Sequence, residues 1–200
     1  MNTSTTAASV PELPAAEAEA VIAATAAWVD KAVIGLNLCP FAHGVVRDRR
    51  IRMVATGADT PEALVEVLLE ELDRLDSADP ATLETTLLIH PHVMGDFLDF
   101  NEFLDVADAA VEQLGLTGEV QVANFHPRYQ FAGTAPDDID NFTNRSPYPT
   151  LHLLRESSIE RAVEAYGDTD RIFETNIETL RRLGRAGWER LGVAPPETGG

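Results

Sequence analysis

Lysine is nearly absent from this chain. Lys31 stands alone, so almost all positive charge is arginine, the bias a GC-rich bacterial genome produces. Basic residues are also scarce in total, with 15 Lys and Arg against 33 Asp and Glu and a formal net charge of −18. Nucleic acids and anionic bilayers are gripped through a local excess of Lys and Arg, so this balance argues against both as partners. A small anionic substrate stays open, because it responds to the field of a few side chains. A single cysteine, Cys39, excludes an internal disulfide, and nothing calls for an oxidising compartment. No apolar run approaches the roughly 18 residues of a membrane span. The N-terminal MNTSTTAASVPELPAAEAEA lacks the basic region and apolar core of a secretory signal. A cytoplasmic protein is expected. Also missing are a Walker loop, GxGxxG, GxSxG and CxxC, so no local motif names a reaction.

What remains is an ordinary globular composition of 200 residues, 44% hydrophobic and 24% charged, enough for one domain with a real core. The polar, Ser/Thr/Ala-rich residues 1–13 read as a disordered tail, 14–192 as a single α/β domain, and 193–200 as a frayed end. Helical spacing of Val21, Ile22, Trp28, Val29 and Val33 marks a first helix from about Pro14 to Ile34, stopped by Gly35. Arg50–Ala55 reads as a strand. Thr60-Pro61 opens a second helix as N-cap and first helical residue. The apolar run Thr85–Ile89 reads as a buried strand, followed by a helix from about Asp96 to Leu114. Gly118–Phe125 and Thr150–Arg155 read as two further strands. Ser157–Glu160 (SSIE) matches a capping box, and a later helix ends at Gly184 before a short one with Trp188. Strands alternating with helices predict a small, mainly parallel sheet of about four strands flanked by helices.

Four segments hold the chemistry: LNLCPFAH (Leu36–His43), IHPH (Ile89–His92), NFHPRYQF (Asn124–Phe131) and NFTNRSPYPTLHLLRE (Asn141–Glu156). All five histidines and the only cysteine lie in them. His90 and His126 each end a strand, at the carboxyl edge where α/β sheets tend to bind ligands. With His152 they form a candidate metal trio for Zn, Fe or Cu, to which Asp96, Asp99 or Glu156 could add a carboxylate. The alternative is that each imidazole bonds a backbone carbonyl and pins a turn. His43 and His92 are weaker candidates. Arg128, Arg145 and Arg155, with Asn144 and Tyr148, are the candidate substrate-binding groups, since guanidinium pairs bidentately with carboxylate or phosphate. Equally, they could pair with Asp137, Asp138, Asp140 or Glu156. Cys39, Tyr129 and Arg145 are the candidate catalytic side chains, though a lone Cys between Leu38 and Phe41 also suits a small buried hydrophobe. The long loop from about Pro127 to Pro149 is a candidate lid.

At these same segments the chain resembles the bacterial domain-of-unknown-function family numbered 1415. The stretches are GLNLCPFA (Gly35–Ala42), HP (His90-Pro91), DFLDFNEFL (Asp96–Leu104), QVANFHPRYQFAGT (Gln121–Thr134) and NFTNRSPYPTLHLLRE (Asn141–Glu156). The likeness covers about Trp28 to Leu183. It implies Cys39, His90, His126, Arg145, His152 and Arg155 as pattern positions, without requiring His43 or His92. Asn124 and Phe142 depart from the Ser and Tyr usual there. No activity comes with the resemblance. Two functions therefore stay open: a metal-dependent enzyme, redox or hydrolytic, acting on a small anionic metabolite, or a non-catalytic small-ligand or protein-binding domain in which His and Arg brace the loop. Oligomeric state is left open.

Overall fold

The computed structural model describes residues 10–166 and 169–195. Its centre is a sheet of four strands, β1 (Ile51–Ala55), β2 (Thr85–Ile89), β3 (Val120–Phe125) and β4 (Thr150–Arg155), in spatial order β1-β2-β4-β3. β1 and β2 are parallel, whereas β4 runs antiparallel to both β2 and β3. The sheet is thus mixed, which corrects the expected mainly parallel one. The cause lies in the β3–β4 connection. It carries no helix long enough to return the chain to the far edge, so it leaves Phe125 and re-enters at Thr150 on the same edge, where the two are register partners. A strand entered that way must run backwards, and β4 slots between β2 and β3.

One face of the sheet is covered by α3 (Pro61–Ser77) and α4 (Phe97–Gln113). In α3 the apolar stripe Leu64, Leu68, Leu72 and Leu75 is completely buried, each side chain contributing roughly 1.5–3 kcal/mol. It packs with Phe100, Phe103 and Ala107 of α4 onto Leu88, Leu151 and Leu153. Thr60 is the cap the sequence signals, and Asp96 is a second one. Thr60 Oγ1 accepts from Ala63 N–H at 3.2 Å with Pro61 in the first turn, and Asp96 Oδ1 accepts from Leu98 N–H at 2.8 Å.

The other face carries α1 (Ala15–Trp28), the short α2 (Ala42–Arg47) and α6 (Thr169–Leu191). α1 and its continuation form the expected first helix, but the last stretch, Val29–Ile34, widens into a π-helix. Gly35 follows as its C-cap, at a position where a Cβ would lie 2.3 Å from Lys31 O, so that only glycine fits. Asn37 then takes a left-handed backbone, φ 55°, which Asn tolerates. A 3₁₀ turn at Ile139–Asn144 lies against α6 and inserts Phe142 between the sheet and Trp188, 5.2 Å away centroid to centroid. α6 breaks at Gly184 (φ 64°), where the sequence expects one helix to end and another to begin. α5 (Glu156–Tyr166) follows β4 directly, so it starts ahead of the expected capping box at Ser157.

Of the expected tails, residues 1–9 and 196–200 lie outside the described residues. Pro11 O would lie 2.2 Å from a Cβ at Gly57, and Val10 packs on the core. Val193 is buried beside Trp188. Among the described residues no helix is long and apolar enough to cross a membrane.

Candidate functional site

Strand alternation assigns two rows of side chains to the α1/α6 face. Across the sheet, Met53, Leu87, His152 and Ala123 form one row, and Ile51, Thr85, Leu154 and Gln121 the next, with Phe125 one step beyond Ala123. Much of this face is left open as a cavity of about 950 Å³. Its floor runs from Phe125 to Gln121, about 13 Å at the usual rise of a strand. The π-helix residues Val29, Val33 and Ile34 and the segment Asn37–Arg47 wall it on one side, and Ser158, Ile159 and Arg161 of α5 on another. Ala123 matters here: a larger residue on this edge strand would occupy the space. A smaller, 440 Å³ depression is lined by residues of α3's last turns and Ala78 alone, and so is helix surface.

His152 is the polar group in the middle of the floor. The Thr85 hydroxyl donates to Leu153 O at 2.6 Å, so toward His152 it accepts, and the 2.8 Å contact is donated by His152 Nε2–H. This leaves Nδ1 as the unprotonated ring nitrogen. The accessible part of the ring faces the cavity, yet protein surrounds it, and burial holds its pKa at about 4. Aromatic rings continue the wall: Phe125 lies 5.8 Å from His152 and 5.0 Å from Trp28. Trp28 Nε1–H is buried without a partner among the described residues.

Cys39 lines the same cavity, and the carbonyl of the preceding Leu38 accepts from the Asn176 side chain of α6 at 2.8 Å. Burial pushes its thiol above the ordinary value, countered in part by the backbone groups of Phe41 and Ala42. The thiol is therefore protonated at neutral pH. Exposed His43 also lines the wall.

The charged end lies at the other limit of the floor. Arg50 precedes β1, Glu84 precedes β2, and Arg161 stands on α5. Glu84, buried, receives Arg50 on Oε2 and Arg161 on Oε1, the latter at 3.0 Å. Arg47 pairs with Asp48 at 2.8 Å. This end is the amino edge of β1, β2 and β3, opposite to the carboxyl edge expected to hold the ligand.

The expected trio is not brought together. His90 and His126 lie on the α4 face of the sheet and His152 on the other, because His90 continues the phase of Leu88 while His152 pairs with Leu87. Among the described residues no three His, Cys, Asp or Glu side chains are grouped so as to hold one ion. His90 and His126 instead flank Phe100, at 5.3 and 5.4 Å. His90 Nδ1–H donates to Val93 O at 3.1 Å and His126 Nε2–H to Met94 O at 3.1 Å, while His126 Nδ1 accepts from Arg128 N–H at 3.0 Å. The Arg128 guanidinium holds the next carbonyl, Gly95 O, and lies 3.4 Å from Asp96. Three successive carbonyls of the β2–α4 turn, whose Met94 is left-handed (φ 58°), are thus pinned by these three side chains. Burial holds both imidazoles near pKa 4.

Nor do the three arginines converge. Arg155 is buried at the amino edge and donates to the carbonyls of Leu75, Ala78 (2.7 Å) and Leu83, closing the C-terminus of α3. Arg145 donates to Tyr129 O at 3.2 Å and to Pro136 O and stacks on Phe142, 4.3 Å away. The candidate lid is a packed part of the fold. Buried Asn141 accepts from Phe131 N–H (2.9 Å) and the Thr134 hydroxyl (2.8 Å) and donates to Ala135 O (2.8 Å). Asp140 receives a two-pronged bond from Arg181 of α6. Tyr129 packs between Phe97 and Phe131. Asn144 accepts from Thr143 and, through its carbonyl, from His126 N–H, and the Tyr148 carbonyl accepts from Ser146 and Thr150. His92 pairs with Glu17 at 2.9 Å.

Sequence reasoning missed Arg47, Arg50, Glu84, Gln121, Ala123 and Arg161. The available signal was the phase of β3 and β4: Gln121, Ala123 and Phe125 share a face, as do His152 and Leu154, and a helix-facing side of the sheet that bears Gln, Ala and His is poorly filled.

In comparison with known proteins, residues 20–190 match the family model described as "Protein of unknown function (DUF1415)". No curated protein and no solved structure matches.

Proposed function

We propose that this chain, which belongs to the DUF1415 family of proteins of unknown function, is a small-molecule-binding protein whose site is the cavity on the α1/α6 face. The observation that carries this reading is the 950 Å³ space over one face of the sheet. That size lies within the range of sites for small ligands, and its lining, mainly apolar with a few polar groups, is of the kind such sites use. The reading takes the non-catalytic of the two functions the sequence leaves open and moves the site. The histidines and arginines of the carboxyl edge brace turns there, and the ligand lies among the segment Asn37–Arg47, β3, β4 and α5.

The neutral fluorescent probe N-phenylnaphthylamine tests it. Saturable one-to-one binding is expected, with bound probe slowing the reaction of Cys39 with Ellman's reagent. Ala123→Phe should abolish binding while the protein stays folded, because Phe suits a strand and its ring would project into open space. Binding that survives Ala123→Phe, or that leaves Cys39 labelling unchanged, would place any site elsewhere.

A further inference from the structure

The floor of the cavity is graded along its length, and its charges are not balanced. At the Phe125 end the lining is aromatic and aliphatic. The middle carries neutral His152, and the far end gathers Gln121, Ser158, Arg47, Arg50, Glu84 and Arg161. We infer that the occupant is an amphipathic monoanion, with an apolar body on the floor and a single carboxylate against Arg47, Arg50 and Arg161. This rests on the cavity being a small-molecule site.

Glu84 divides its two oxygens between Arg50 and Arg161, so two guanidiniums share one carboxylate. Arg47 is matched by Asp48, which also lies 3.8 Å from Arg50. Three arginines against two carboxylates leave an excess of one positive charge, in a chain whose net charge is −18. One negative charge completes this cluster, whereas a second would be uncompensated within a strongly acidic protein. A cation would face guanidinium. The charge must also sit at one end of the ligand, since the middle of the floor offers a neutral imidazole among apolar side chains and an ion there would lose its hydration without a partner. Arg47 and Arg161 are accessible enough to serve: their side chains are 67% and 62% exposed, while Glu84 is 9% exposed. They can turn toward a carboxylate, and guanidinium offers the planar pair of donors that it fits.

The experiment compares decanoate with decanol, by calorimetry on the full chain, in wild type, Arg161→Gln, Arg161→Lys and Ala123→Phe. Decanoate should bind about tenfold tighter than decanol, as one charge-assisted contact provides, with a ratio that shrinks as salt is raised. Arg161→Gln should bring the ratio close to one by weakening decanoate alone, and Arg161→Lys should restore part of it. Ala123→Phe should remove both probes. Equal binding of the two probes in wild type, or a preference for decanoate that survives Arg161→Gln, overturns the monoanion and leaves the cavity reading standing. Failure of both probes to bind, or binding of both to Ala123→Phe, overturns the cavity reading and the monoanion with it.

Discussion

Replacing His90 by Gln should reduce this protein's sensitivity to acid. The imidazole of His90 is completely buried against Phe100, its Nδ1–H bonded to Val93 O, and its Nε2 has no partner among the described residues. A proton added at Nε2 would create a buried donor with no acceptor on a ring that has become a cation. Burial accordingly lowers its pKa from 6.5 to about 4, and neighbouring His126 adds to the effect. In the unfolded chain the group titrates at its ordinary value. As pH falls through 6.5 the unfolded state takes up a proton that the folded state refuses, and stability drops. The loss continues to about pH 4 and then stops, because below that both states are protonated. A difference of about 2.5 units at 1.36 kcal/mol each makes the contribution about 3 kcal/mol, a sizeable part of a domain's stability. His126 and His152 shift in the same direction over the same window and add to the slope. Urea unfolding followed by circular dichroism at pH 7.5 and pH 4 measures it. Gln keeps a donor for Val93 O and does not titrate, so His90→Gln should lose about 3 kcal/mol less than wild type between the two pH values, whatever its stability at neutral pH. Identical losses in the two proteins would show that His90 takes up its proton in the folded state and would refute the reasoning.

Two further substitutions separate bracing from ligand binding. Arg155→Ala should cost about 3 kcal/mol or more, since it strips a charged donor from the carbonyls of Leu75, Ala78 and Leu83. Chemical denaturation reads the loss, and affinity for N-phenylnaphthylamine should not change. Asn141→Ala should cost about 2–3 kcal/mol by releasing the Phe131 N–H, the Thr134 hydroxyl and Ala135 O. Hydrogen exchange should quicken first between Phe131 and Asn141, where its three partners lie.

Local signals were readable where the physics is local. The Thr60 cap, the Asp96 cap and the break at Gly184 depend on neighbours in sequence, and each lies where its residue type says it should. β4 was readable to the residue. The face on which its side chains fall was not, because that is decided by register against β2 and β3, two distant segments. The candidate residues divided on the same ground. His90, His126 and Arg128 looked like ligands because they are the right types at strand ends, but their partners, the carbonyls of Val93, Met94 and Gly95, are backbone groups that no residue type advertises. Cys39 read either as a nucleophile or as a small buried hydrophobe, and what its segment Asn37–Arg47 does is wall the cavity.

Composition and pattern alone determined an acidic α/β chain, its long helices, its four strands and the four segments where His, Cys and Arg collect, since propensity, capping and periodicity act over a few residues. The tertiary structure decided which of those residues meet. The β3–β4 connection starts and ends on one edge of the sheet. β4 therefore runs backwards between β2 and β3, placing His152 on the opposite face from His90 and His126 and beside Ala123. A small side chain next to an imidazole on an underfilled face is what leaves the cavity open.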